Sequence, residues 1–115
     1  MKLRYIELLG RKYPLCFSLS ATEEIIAEFG STENMGESLA GKDTAAQLKA
    51  VDIVLDIMLR AGERYCKAAG LDVPPPLNCR PADVMDISDP SAIQTIFSVI
   101  NGDSERTIEA KGKNV

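Results

Sequence analysis

The strongest constraint on the fold is one apolar pattern that runs without a proline from about Thr44 to Ala69. Leu48, Val51, Leu55, Met58 and Tyr65 recur in alternating three- and four-residue steps, with Gly62 filling the missing step. Ala50, Val54, Ile57 and Ala61 form a second stripe beside the first. Such spacing belongs to a helix, and two adjacent stripes make an apolar face wide enough to be covered on two sides. The run Ile53-Val54-Leu55-Asp56-Ile57-Met58-Leu59 alone could pass for a buried strand, but the unbroken length decides for a helix. Asp43 or Thr44 caps its start, and Gly70 stands behind its end.

The elements around this helix are short. Leu3–Leu8 and Tyr13–Ser18 are rich in aromatic and aliphatic residues, and the polar Gly10-Arg11-Lys12 between them predicts a hairpin over residues 3–18. Tyr13, Leu15 and Phe17 share one face; Pro14 lies on the other, and having no N–H it must stand at an edge or a strand start. Ser20-Ala21-Thr22-Glu23 has the form of a capping box for a helix over about 21–29. Ile25, Ile26 and Phe29 supply its apolar patch and Gly30 its stop. The polar stretch from Ser31 to Lys42, carrying Gly36 and Gly41, reads as a loop. Val73-Pro74-Pro75-Pro76 predicts an extended spacer. Pro81 opens a short helix over 81–86, and Asp89-Pro90 opens a final helix over 90–101. That last helix carries Ile93, Ile96, Phe97 and Ile100 at helical spacing. Residues 103–115 are a polar tail.

The expectation is one α+β domain over residues 1–102, a hairpin packed on a mostly helical cluster with one long central helix. A chain of 115 residues leaves no room for a second core. Leu15, Phe17, Ile25, Phe29, Leu55, Met58, Ile96 and Phe97 are the expected core.

Composition narrows the function. There is no histidine, so the commonest general base and commonest metal ligand are missing. Net charge is −4, which lacks the basic footprint of nucleic-acid binding. Lys2, Arg4, Arg11 and Lys12 gather in the hairpin, whereas Glu23, Glu24, Glu28, Glu33 and Glu37 follow it with no base among them. No stretch is long and apolar enough for a membrane span, and no signal peptide is read at the N-terminus. The odd count of three cysteines suits a reducing cytoplasm.

Each chemical candidate has an ordinary counterpart. Cys66, between Arg64 and Lys67, has the cationic neighbours of an activated thiol, and equally the size of a small buried hydrophobe. Asp52 and Asp56, one turn apart, could do acid–base work or decorate a solvated face with Lys49 and Arg60. Gly36 and Gly41 are not followed by the GK[ST] of a phosphate loop. No catalytic, cofactor or metal residue is therefore assigned. The face of Leu48, Val51, Leu55, Met58 and Tyr65 is the candidate partner surface, either covered by the chain itself or open to a partner helix. Self-association follows if it stays open.

The N-terminal third adds a resemblance. Tyr5-Ile6-Glu7-Leu8-Leu9-Gly10-Arg11-Lys12-Tyr13-Pro14-Leu15-Cys16-Phe17-Ser18-Leu19, followed by Glu28-Phe29-Gly30, resembles the tail assembly chaperones of long-tailed bacteriophages and prophages. Beyond residue 30 the likeness is one of plan and size. The resemblance implies a non-enzymatic protein of the host cytoplasm, absent from the mature virion. It implies binding to the tape-measure protein, assistance to tail-tube polymerisation, and no cofactor. In such genes a frameshift often extends the product, and Gly112-Lys113-Asn114 permits the slippery codons GGA-AAA-AAC. The alternatives are a small cytosolic adaptor or regulator that binds an apolar partner helix, and a small thiol-dependent enzyme using Cys66.

Overall fold

The computed structural model describes residues 3–85. The expected helix over 90–101, its Ile96 and Phe97, and the tail over 103–115 lie outside the described residues. Within them the order is β1 (Arg4–Leu8), β2 (Arg11–Leu15), α1 (Leu19–Phe29), α2 (Thr32–Ala40) and α3 (Thr44–Ala69), followed by a 3-10 turn at Pro81–Asp83. The fold is α+β: an antiparallel two-stranded hairpin packed on three helices, one of them long.

The long helix forms where its periodicity places it, because both ends are chemically closed. The Asp43 carboxylate accepts from the N–H groups of Ala45 (3.1 Å) and Ala46 (3.5 Å). At the other end Gly70 takes φ 73°; its N–H donates to Lys67 O, and the Leu71 N–H donates to Cys66 O at 2.8 Å. This is a Schellman closure, which needs a residue at ease in the left-handed region. Ala50, Val51, Val54, Leu55, Ile57, Met58 and Ala61 are all buried, so both apolar stripes are used.

The hairpin is tighter than its composition suggests. Leu9 (φ 52°) and Gly10 (φ 75°) make a two-residue turn, so Arg11 and Lys12 join β2 instead of the loop. Register runs from Arg4 opposite Leu15 to Leu8 opposite Arg11. Pro14 is buried together with Tyr13 and Leu15, departing from strict alternation. The reason is α3. A Cβ at Gly62 would stand 2.5 Å from the Pro14 carbonyl carbon and 3.0 Å from Leu15 N, so the strand backbone rests on the helix where the side chain is missing. Gly62 fills its step in the stripe by admitting β2.

Two expected helix boundaries move. The cap of α1 is Ser18, two residues before the expected Ser20: its hydroxyl accepts from the Ala21 N–H at 3.1 Å. Glu23 and Glu24 therefore fall beyond the first turn. The expected loop from Ser31 to Lys42 is largely the helix α2. Ser31 caps it, accepting from the Asn34 N–H at 3.0 Å, while the Asn34 amide donates to Phe29 O at 2.9 Å and closes α1. Met35 and Leu39, one turn apart, are buried against the core and offset the cost of Gly36 in mid-helix, about 1 kcal/mol. Gln47 of α3 donates to Leu39 O at 2.7 Å and ties the two helices together. The expected helix over 81–86 is a single 3-10 turn, Pro81–Asp83.

Candidate functional site

The five residues expected to face a partner do not share one surface. Val51, Leu55 and Met58 belong to the core, Tyr65 is half-buried against it, and Leu48 alone is exposed. The open alternative rested on a short hairpin and short helices covering little area. Instead α2 delivers Met35 and Leu39 to the core, while β2 and α1 pack on α3 as well.

Among the described residues the other exposed large apolar side chains lie elsewhere than on that stripe, and Leu48 completes the set. Together they are Tyr5, Leu9, Leu19, Ile26, Leu48 and Leu71. Leu9 and Leu19 stand out at 70% and 80% exposure, since burying a leucine is worth about 1.5–3 kcal/mol. Leu19 and Ile26 are seven residues apart and so lie along one stripe of α1. Leu9 sits at the hairpin tip with positive φ, a conformation that a branched apolar residue takes at a cost. Exposed acids are Glu23 and Glu28 on α1 and Glu33 and Glu37 on α2, and of these Glu23 stands one turn from both Leu19 and Ile26.

A polar groove of about 380 Å³ runs between α1 and α3, lined by Glu24, Asp52, Asp56, Arg60 and Arg80 over Ile53 and Ile57. Those five charged side chains are engaged in ion pairs, and Glu28 lines the groove beside them. Arg60 meets Glu24 at 2.6 Å and Asp56 at 3.1 Å, and Arg64 meets Glu24 at 3.1 Å. Partial burial pushes the Glu24 carboxyl up, but hydrogen bonds and charge from Arg60 and Arg64 outweigh it and hold the group below the usual carboxylate value. The Glu24 hydrogen bond raises Arg60 in turn.

Asp52 and Asp56, read together from spacing, are divided between two tasks. Asp56 pairs with Arg60 on the helix surface as expected. Asp52 does not join Lys49; its carboxylate accepts from Arg80 Nε (3.0 Å), Arg80 Nη2 (2.8 Å) and the Ala82 N–H (2.9 Å). It pins the end of the proline-rich segment to α3. Neither carboxylate is left as an unengaged acid or base. Arg80 carried no signal in the sequence, because its partner lies 28 residues away and no local period connects them.

Cys66 is buried, and burial pushes its thiol up. The cations read as its neighbours are committed elsewhere, Arg64 to Glu24 and Lys67 to Glu63. Cys16 is buried as well; desolvation raises it against the lowering hydrogen bonds at Ser18. Both thiols are held protonated, the opposite of the state a nucleophile needs. Among the described residues no group of three or more Cys, Asp or Glu is placed to hold a metal ion, and no helix is long and apolar enough to cross a membrane.

Comparison with known proteins returned no matching family model, no matching curated protein and no matching solved structure.

Proposed function

We propose that this chain is a non-enzymatic tail assembly chaperone that binds a helical tape-measure protein through its hairpin and α1. The observation that carries the proposal is where the exposed apolar side chains fall. Tyr5, Leu9, Leu19 and Ile26, four of the six large ones exposed among the described residues, lie in residues 5–30, the segment that resembles the chaperone family. On this reading the exposed apolar groups of the hairpin and α1 are where another chain docks.

The chemistry of the surface defines the partner. An apolar stripe on α1, with Glu23 one turn from both Leu19 and Ile26, suits an apolar helix face that carries a lysine or arginine. A tape-measure protein is a long helical chain whose apolar seams must be shielded until tube subunits surround it. In this reading the chaperone works in the cytoplasm of the bacterial host, hands its client to the tail-tube protein, and leaves before the particle is complete. The α3 stripe serves as the scaffold behind the surface.

Co-expression with the tape-measure protein of the same genome tests the proposal. Wild-type protein keeps the client soluble and co-purifies with it. The double variant Leu19→Asp/Ile26→Asp, which changes only exposed positions, stays folded and loses the client. An insoluble client with wild-type protein, or full binding by the double variant, overturns the proposal.

A further inference from the structure

We infer that two copies of this chain pair antiparallel along the outer edge of β1, joining two hairpins into one four-stranded sheet. The inference goes beyond the tape-measure reading and does not rest on it. It follows from which backbone groups the hairpin leaves outside. In a two-residue hairpin the residues flanking the turn, here Leu8 and Arg11, exchange both backbone bonds, and exchange then alternates along the ladder. Ile6–Tyr13 and Arg4–Leu15 are the next bonded pairs. At Glu7–Lys12 and Tyr5–Pro14, between them, the N–H and C=O groups point away from the partner strand.

The two edges are treated differently. On β2 the outward groups belong to Lys12 and Pro14; α3 covers that edge at Gly62, and proline has no N–H to bury unpaired. On β1 the outward groups belong to Tyr5 and Glu7, and among the described residues no strand receives them. Natural edges are commonly blunted by proline, a bulge or charged side chains. Arg4-Tyr5-Ile6-Glu7-Leu8 has no proline and no bulge, and its outward charge, Glu7, is one that a paired copy would set beside Tyr5 instead of beside a like charge. The Tyr5 side chain on this strand is 56% exposed.

The edge is complementary to itself, which makes a second copy its occupant. With a two-fold axis through Ile6, all five residues of β1 pair, and the outward-facing Tyr5 and Glu7 oppose the partner's Glu7 and Tyr5. Each such pair exchanges both of its backbone bonds. Tyr5 and Glu7 side chains then stand side by side on the solvent face, hydroxyl donor next to carboxylate acceptor. An axis through Glu7 instead sets like charges directly opposite and shortens the overlap. A two-stranded sheet also gains most from pairing, being the smallest and weakest sheet there is. The contact is isologous, closes on itself, and stops at the dimer.

The test uses the N–H that the dimer needs and the hairpin does not. Glu7→Pro removes an outward donor while leaving every bonded pair of the hairpin intact. Sedimentation at tens of micromolar is expected to show wild-type dimer and a monomeric Glu7→Pro protein with the wild-type circular dichroism spectrum. In wild-type protein, exchange at the Tyr5 and Glu7 amides slows as concentration rises, whereas Ile6 and Leu8 are protected throughout. The exchange experiment decides the matter if the proline variant unfolds. A monomer at every concentration, a dimer that survives Glu7→Pro, or Tyr5 and Glu7 amides insensitive to concentration overturns the inference. Protection that appears only when an extended peptide from another protein is added also overturns it, by assigning the edge to that partner.

Discussion

Replacing Gly62 with alanine isolates the contact on which the packing of hairpin and helix depends. In an exposed helix interior the change is favourable, since alanine is better than glycine by about 0.8–1 kcal/mol. Here the new methyl would meet backbone: the Pro14 carbonyl carbon at 2.5 Å and Leu15 N at 3.0 Å, with the Pro14 oxygen closer still. Ordinary contact begins near 3.4 Å, so β2 must retreat from α3 by about 1 Å, carrying Tyr13 and Leu15 with it. Overpacking of this kind costs about 1–3 kcal/mol, and a backbone obstacle belongs at the upper end because no rotamer change relieves it. After the gain in helix propensity, a net loss of about 1–2 kcal/mol remains. Gly36→Ala is the matched control: it lies inside α2 with nothing within 4 Å of the new Cβ, and should stabilise by about 0.5–1 kcal/mol. Urea unfolding reads both as shifts of midpoint at constant slope. A Gly62→Ala protein as stable as wild type, or stabilised like Gly36→Ala, refutes the close approach.

Glu24 has a folded-state value held below 4.5, so its contribution is present above that pH and is lost as pH falls through the folded value. Glu24→Gln should flatten that acid limb of the stability curve, measured by urea titration from neutral to acidic pH. Cys16 and Cys66 have raised folded values; their contribution is complete below the unfolded value of 9.0 and is lost as pH rises through it toward the folded one. Both should resist a thiol reagent in native buffer and react once the chain is unfolded; prompt labelling of Cys66 in the folded protein would restore the nucleophile reading. Asp52→Asn weakens the double contact with Arg80, and limited proteolysis should cut residues 71–83 faster while the melting temperature changes little. An unaltered cleavage rate would mean that Asp52 does not hold the segment.

What the sequence disclosed depended on how local each signal was. The long helix was legible from end to end because its period, its Asp43 cap and its Gly70 stop all lie within or beside it. The α2 helix was not, since it offers only Met35 and Leu39 as apolar positions and carries Gly36 between them; it is helical because α3 and the core accept those two side chains. Ser18 and Ser20 are chemically equal as caps, and the choice falls to where β2 releases the chain. The candidate partner stripe shows the deeper limit. Periodicity reports that a face is buried but not by what, and the buried Val51, Leu55 and Met58 turned out to be covered by the chain's own β2, α1 and α2. The sequence reading puts Ile26 in the apolar patch of α1, and it is exposed, since adjacency to Ile25 does not place it on the buried face; the Asp52–Arg80 link spans 28 residues.

The proposed function turns on the hairpin and α1, and not the stripe of α3, receiving the client. Amide exchange of the protein with and without a soluble tape-measure fragment tests it directly. New protection is predicted at the hairpin tip around Leu9 and Gly10 and along α1 around Leu19 and Ile26, with α3 unchanged about Leu48. Protection confined to α3, or no difference on adding the fragment, would contradict it.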